Sequence, residues 1–315
     1  MTFNVTDSVK VLRRSMLAWL VGSSFAIIVG LITIALFYIS PGNALLDALT
    51  YHYGAVPIGN YPRITATFAS ASMFCNYLNV ALVLTIVAAI KGWFSKRFVL
   101  FLGCAIFLCS IFTISVGLGG IFLALGVLCF FISGSKSSAL SFAGLAFSVV
   151  FAVIFLLLSV VSLEPTESSS VQIRGFTFAP SGRLLVWADA LQTFKKSPLT
   201  GHGLGLPVAN VLFRNAEGTP SLLTDAHNSF LSVAAQDGIL GLAALLMICA
   251  YILYRWRVGI KKTDRYATIG LGVAFLCSFV YQGLTGSFEE VRHLWVLMGI
   301  FLATDKIESR QDQNS

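Results

Sequence analysis

The stretch 224-TDAHNSFLSVAAQDGILG-241 runs directly into 242-LAALLMICAYILY-254, an uncharged segment that suits only lipid or a protein core. A single helix from His227 to the end of this segment would be about 42 Å long at 1.5 Å per residue. The hydrocarbon core of a bilayer is only about 30 Å thick, and such a helix would bury Gln236 and Asp237 in it, which is energetically unfavourable. The polar start and the apolar end of the stretch therefore belong to different environments.

A break at Asp237-Gly238 would separate these two environments. Glycine adopts backbone conformations that end or kink a helix at little steric cost. We predict a short helix from Ala226 to Gln236, capped by Thr224 or Asp225, and a membrane span that begins at Ile239. The polar residues of the stretch then face the boundary between lipid and external water.

The whole chain shares this apolar character. Of its 315 residues, 57% are hydrophobic and 11% are charged, whereas soluble domains contain about 25% charged residues. The apolar runs are continuous over about 18–25 residues, the length of a membrane-spanning helix, and they lack the short alternation of barrel strands. We therefore predict an all-α, polytopic transmembrane helical protein of about eight spans, with one long external loop that contains amphipathic helices.

The apolar runs and the polar segments between them define the predicted organisation. Residues 1–162 form an N-terminal transmembrane bundle of about five spans, 163–238 the external loop, and 239–304 the C-terminal transmembrane helices. Residues 305–315 form a cytoplasmic tail, which we expect to be disordered. The predicted spans are residues 15–39, 68–90, 98–115, 118–133, 139–162, 239–256, 267–285 and 293–304.

Positive charge is distributed unequally between the two ends of these spans. Of the 21 Lys and Arg residues, 14 lie in the termini and loops at one end, two in the short loops at the other end, and five in the long loop. Loops rich in Lys and Arg stay in the cytoplasm, so we predict cytoplasmic termini and a long loop outside the cytoplasmic membrane. The net charge of +7 follows from this orientation and does not indicate nucleic-acid binding.

One helix is evident within the long loop. The segment 181-SGRLLVWADALQTFKKSP-198 has apolar residues at spacings of three and four, a candidate N-cap at Ser181, and a terminating Pro198. Its apolar face carries Trp187. We expect this face to lie on the outer membrane surface.

Three segments match the motifs of one known family. His227-Asn228, nine further residues and 238-GILG-241 fit the pattern H-[N/S/Q]-x9-G-x-x-[G/T/Y]. The segment 183–205 fits R-x3-W…P-x2-G-x-G-x-G, and 62-PRITATFASASMFCNYL-78 resembles the segment with an earlier external arginine, here Arg63. Over about residues 60–300, the chain resembles the O-antigen ligase and polysaccharide polymerase family, bacterial inner-membrane enzymes that use glycans linked to polyprenyl diphosphate.

The resemblance implies a role for each matching residue. His227 would accept the proton of an acceptor hydroxyl, because imidazole exchanges a proton near neutral pH. Arg63 and Arg183 would bind the diphosphate, to which the planar guanidinium offers a fork of donors. Arg183 also lies in the first turn of its helix, where the helix dipole opposes a cation, so a need for its charge is indicated. Further candidates for substrate contacts are Asn228, Arg174 and Arg214.

The implied reaction is glycan transfer by an inverting, metal-independent glycosyltransferase without a cofactor. Its partners would be the lipid-linked donor, a glycolipid or glycan acceptor such as a lipid A core, and membrane lipids. The sequence leaves the choice between a ligase and a repeat-unit polymerase open. A transporter or flippase of lipid-linked glycans is the alternative of another class, although transporters usually carry ionisable groups within their spans.

Overall fold

The computed structural model describes residues 6–40, 46, 49–53, 61–133, 138–162, 171–173, 176–180, 182–214, 220–260, 265–287 and 291–314. Helices account for most of these residues, and the strands are short. The helices are α1 (Val9–Ile39), α2 (Ala71–Ile90), α3 (Lys96–Phe112), α4 (Leu118–Ser133), α5 (Ser138–Leu158), α6 (Gly182–Lys196), α7 (Ser229–Gly259), α8 (Arg265–Thr285) and α9 (Arg292–Asn314).

Among the residues that the structure describes, five helices are long and apolar enough to cross a membrane, namely α1, α2, α5, α7 and α8. Shorter apolar helices are α4 and the part of α9 that runs from Arg292 to Thr304. The predicted class, a helical polytopic membrane protein, is confirmed. The count of eight spans remains a prediction.

Helices α2 and α8 form the centre of the bundle. In their most apolar windows, 72% and 83% of the residues are buried, compared with 11% and 17% in α5 and α7, which face outward. Polar side chains join the two central helices: the Asn76 amide donates to the Ser278 carbonyl oxygen at 3.0 Å, and the Asn79 amide donates to the Ser278 hydroxyl at 2.9 Å. Such hydrogen bonds between helices are a source of association in lipid, where apolar surfaces alone give little preference.

Short antiparallel strands, which the sequence did not predict, lie in the polar connections. They form a two-stranded, a three-stranded and a second two-stranded sheet, with orders β1-β2, β3-β5-β4 and β6-β7. The end of the bundle that carries these connections is called the loop end below. The strands are β1 (Thr50–Tyr53), β2 (Tyr61–Ile64), β3 (Val161–Ser162), β4 (Val171–Ile173), β5 (Phe176–Pro180), β6 (Val211–Arg214) and β7 (Pro220–Leu223).

Helix α7 contains the predicted break at Gly238, whose φ of 68° and ψ of −163° are not helical. At one end of α7, Trp256 packs against Gly272 of α8, and at the other the Ser229 hydroxyl donates to the Gly286 carbonyl oxygen at 3.0 Å. The two contacts are 27 residues apart along α7 but only 14 residues apart along α8. A straight helix would separate them by about 40 Å on α7 and by about 21 Å on α8, so α7 cannot be straight between them. The residues before Gly238 therefore fold across the loop end instead of extending α7 outward.

The predicted start of this helix was wrong by three residues. The helix begins at Ser229, and its N-cap is Asn228, whose side chain accepts a hydrogen bond from the Leu231 N–H at 3.1 Å. Neither Thr224 nor Asp225 is the cap. The physical reason is the backbone of His227, whose φ of 46° is left-handed and cannot belong to an α-helix.

The break is stabilised by the segment that follows α6. In an unbroken helix the N–H groups of residues 239 and 240 would bond to the carbonyls of residues 235 and 236. Instead, Ile239 N–H donates to Pro198 O at 2.8 Å and Leu240 N–H to Leu199 O at 3.4 Å. The carbonyl oxygens of residues 235 and 236, which lose these helical partners, accept the N–H groups of residues 202 and 203 at 2.8 and 2.9 Å. We call residues 198–203 and 235–240 together the glycine joint.

Two glycines permit this close approach. A Cβ on Gly201 would lie 2.1 Å from the carbonyl oxygen of Gln236, and a Cβ on Gly238 would lie 2.3 Å from that of Leu199. Both glycines also have positive φ. Any other residue at either position would separate the two backbones.

The centre of the apolar face of α6 packs on protein, which corrects the expectation that the whole face lies on the membrane surface, whereas Leu184 and Leu191 at its edge stay exposed. Val186 and Ala190 are fully buried in a small second core, and Trp187 packs against the same core. The indole N–H of Trp187 donates to the Ala226 carbonyl oxygen at 2.7 Å. The other buried members of this core are Val208, Ala209, Ala226 and Ala235.

The C-terminal residues also differ from expectation. Helix α9 continues from Arg292 to Asn314, so residues 305–314 are helical rather than disordered. This segment contains neither Gly nor Pro, and its Lys, Glu, Arg and Gln residues are good helix formers.

The glycine joint gives a matched test, because Gly201 and Gly205 have nearly equal φ of 75° and 74°, whereas only Gly201 has backbone atoms where a Cβ would lie. We expect Gly205→Ala to cost about 1 kcal/mol from backbone strain alone. Gly201→Ala should cost at least about 2 kcal/mol more, because the added methyl group overlaps the α7 backbone. Thermal unfolding of the two purified variants measures the difference, and equal midpoints would contradict the close contact.

Candidate active site at the loop end

His227 is presented to solvent just before the N-cap of α7. Its side chain is 48% exposed, and its Nδ1 lies 3.3 Å from Oδ2 of Asp225. The other oxygen, Oδ1, accepts the His227 N–H at 3.2 Å and the Ser232 hydroxyl at 3.4 Å. A proton on Nδ1 is favoured by the facing carboxylate, which leaves the lone pair on Nε2. The ring therefore has the tautomer that a general base needs, with Nε2 free to accept a proton.

The two residues after His227 fix its position. Asn228 uses its side-chain oxygen to cap α7, and its amide nitrogen remains as a donor for a substrate. Ser229 is buried, and its hydroxyl donates to Gly286 O just beyond the end of α8. Through these bonds the start of α7 is attached to the membrane-spanning bundle.

Arg183 is the second residue of α6, as expected, and lies near the C-terminal end of α8. Its side chain is half-buried, with Nη1 enclosed by protein atoms, and its charge acts on the hydroxyl of Tyr281. Arg183 precedes Trp187 by one helical turn on the same side of α6. Because the Trp187 indole bonds to Ala226 O, α6 brings Arg183 close to the residue before His227.

Arg63 enters the same region from strand β2. It is half-buried, and its Nε donates to the Thr113 carbonyl oxygen at 2.9 Å, at the C-terminus of α3. A cation is favoured there by the helix dipole. The charge of Arg63 acts on the thiol of Cys75, and Cys75 in turn interacts with Tyr281. Arg63 therefore lies near Cys75 of α2, as Arg183 lies near Tyr281 of α8.

The structure does not place the two other arginine candidates, Arg174 and Arg214, in the site. Arg174 lies outside the described residues. Arg214 ends strand β6, where it pairs with Pro220, and its side chain lies outside the described part of the chain. Neither residue is shown to join His227, Arg183 and Arg63, and their substrate contacts remain predictions.

His293 is a half-buried polar residue at the start of α9. Its Nε2 lies 2.8 Å from the Asn76 side-chain oxygen, and its ring packs against Trp19 and Tyr77. These contacts join α9 to α1 and α2. The signal in the sequence was Asn76 itself, because a polar side chain within an apolar span requires a partner.

A comparison with known proteins matches the region that contains most of the candidate residues. The family model described as O-Antigen ligase matches residues 104–246, which include Arg183, His227, Asn228 and the glycine joint but not Arg63. An O-antigen ligase of Pseudomonas aeruginosa is 37% identical over 87 residues. This match covers 27% of the present chain and 19% of the relative. Both findings support the assignment of this chain to the O-antigen ligase family.

Proposed function

We propose that this chain transfers a glycan from a polyprenyl-diphosphate carrier to an acceptor hydroxyl during the assembly of surface polysaccharide. The observation that carries the proposal is the convergence of a solvent-facing His227 with Arg183 and Arg63 at one end of a membrane bundle. The family match across residues 104–246 supports the same reaction. The site faces the outside of the bacterial cytoplasmic membrane in this proposal.

The proposed chemistry is a direct displacement at the anomeric carbon of the donor glycan. The acceptor hydroxyl oxygen forms the new bond to this carbon, while the bond from the carbon to the diphosphate oxygen breaks. The electron pair of the broken bond leaves with the polyprenyl diphosphate, and the hydroxyl proton passes to Nε2 of His227. Displacement from the opposite face inverts the anomeric centre. The proposed reaction does not use the two-carboxylate mechanism of glycosidases.

Each nearby residue has a defined part in this scheme. Asp225 holds the imidazole through Nδ1 and stabilises the imidazolium that forms. The guanidinium groups of Arg183 and Arg63 bind the diphosphate and offset its growing negative charge. The diphosphate is itself a good leaving group, so neither a nucleotide sugar nor a cofactor is part of the proposal.

The proposal also concerns the molecule that carries the acceptor hydroxyl. We favour an acceptor on another lipid, such as a lipid A core, because the family description and the relative both name an O-antigen ligase. In a repeat-unit polymerase the acceptor would be a second lipid-linked glycan. The glycan profile of a deletion strain separates the two: unattached lipid-linked chains accumulate without a ligase, whereas single repeats remain without a polymerase.

His227→Gln tests the proposed base. Glutamine keeps the approximate size and hydrogen bonding of histidine but cannot carry the proton, so we expect turnover to fall about a hundredfold or more. Donor binding should persist, because it is assigned to the arginines. The measurement is product formation from lipid-linked glycan and acceptor with purified protein. His202→Gln is the matched control, since His202 is an exposed histidine of the nearby loop that has no part in the proposed chemistry.

The pH dependence of the same assay sharpens the test. If His227 is the base, the acidic limb of the rate profile belongs to this residue and is lost in whatever activity the His227→Gln protein retains. An active His227→Gln protein with an unchanged acidic limb would contradict the mechanism.

Arg183→Lys tests the diphosphate contact. Lysine keeps the charge but loses the planar fork, so we expect transfer to fall about tenfold or more, the equivalent of one charge-assisted hydrogen bond. Arg257→Lys makes the same chemical change at an exposed residue at the other end of α7 and should leave the rate unchanged. Wild-type transfer by Arg183→Lys, at the same level of folded protein, would mean that another group binds the diphosphate.

A further inference from the structure

The segment between α6 and strand β6 exposes three leucines that the proposed reaction does not use. Leu204 is 81% exposed, the highest value among the large hydrophobic side chains that the structure describes, and Leu199 and Leu206 are 66% and 46% exposed. We call these three residues the leucine patch. Their clustering in one short loop is unfavourable in water and marks a contact surface.

The leucine patch adjoins the lipid-facing surface of α7. Leu199 O accepts the N–H of Leu240, the second residue after the helix break. From Leu240 an exposed stripe continues down the span through Met247, Tyr251 and Tyr254. These residues are separated by seven, four and three positions, so they share one face of the helix. The patch therefore lies where the lipid-facing side of the span meets the loop end.

Two positive charges precede the leucine patch. Lys195 and Lys196 occupy the last turn of α6, and both side chains are exposed. Leucines beside exposed lysines match the layering of a bilayer surface, where anionic headgroups cover the acyl chains. Val186, Trp187 and Ala190 of α6 pack in the second core, whereas Lys195 and Lys196 at the end of the helix are exposed and available to lipid.

We propose that the leucine patch inserts among the acyl chains of the outer leaflet while Lys195 and Lys196 bind the phosphates of anionic phospholipids. Because Pro198 and Leu199 belong to the glycine joint, this contact holds the joint at the boundary between lipid and water. The lipid is that of the surrounding bilayer, so the inference stands independently of the proposed reaction.

Tryptophan emission tests the position of the patch in the full-length protein, reconstituted in bilayers of phosphatidylcholine and phosphatidylglycerol. Leu204→Trp and Leu199→Trp each add one indole to the five native ones. We expect lipids with brominated acyl chains to quench the added emission, and aqueous iodide to leave it unchanged. The control is Ala188→Trp, an exposed residue about half a turn from the buried face of α6, whose added emission should respond to iodide.

Either of two results would overturn the insertion. Quenching of the Leu204 and Leu199 variants by iodide, as at Ala188, would place the patch in water. Protection of both variants from both quenchers would mean that protein covers the patch. Because each substitution is at an exposed site with room for a larger side chain, neither variant should lose its fold.

Lipid composition tests the part assigned to the lysines. In bilayers without phosphatidylglycerol, the lipid quenching of Leu204→Trp should decrease, because the headgroup attraction is lost. When Lys195→Ala and Lys196→Ala are added to this variant, its quenching should no longer depend on phosphatidylglycerol. A dependence that persists in the triple variant would show that the lysines do not bind the headgroups.

Discussion

The arrangement of the loop end depends on the exchange of backbone hydrogen bonds in the glycine joint. A break in a helix near lipid leaves N–H and C=O groups without partners, and each such group costs several kcal/mol in a low-dielectric environment. Here the groups freed at residues 235, 236, 239 and 240 bond to residues 198, 199, 202 and 203 of the preceding loop. The exchange holds α7 in its broken form and ties the α6 segment to the membrane-spanning bundle.

The position of His227 follows from this joint. Because the first residues of α7 fold across the loop end, Ser229 reaches Gly286, and His227 lies over the end of α8 rather than far above it. The second core and the Trp187–Ala226 hydrogen bond then bring Arg183 to the same place. Local strain at His227, with its positive φ, is stabilised by the carboxylate of Asp225. Backbone constraints thus assemble the candidate site from residues that are distant in sequence.

The helical membrane class was predictable from the sequence, since long uncharged apolar runs indicate membrane-spanning helices, and a glycine beside Asp237 indicates the break. The cap was missed because Thr224, Asp225 and Asn228 are all good caps, and only the tertiary setting of His227 selects Asn228. The apolar face of α6 was expected on the membrane because an amphipathic pattern does not reveal what covers it. The short strands and the Asn76–His293 contact depend on long-range pairing, which a single sequence does not encode in local periodicity.

The first nine residues of α7 fold back over α8. Cross-linking between residues 229 and 286 probes this arrangement. A cysteine at residue 286 would meet only the flexible end of the Gln282 side chain, so the substitution is tolerable. In reconstituted protein under mild oxidation, Ser229→Cys with Gly286→Cys should form a disulfide that mass spectrometry detects. Gln236→Cys with Gly286→Cys, two helical turns away, should form none. Absence of the 229–286 linkage, with both cysteines accessible to alkylation, would mean that the start of α7 does not lie over the end of α8.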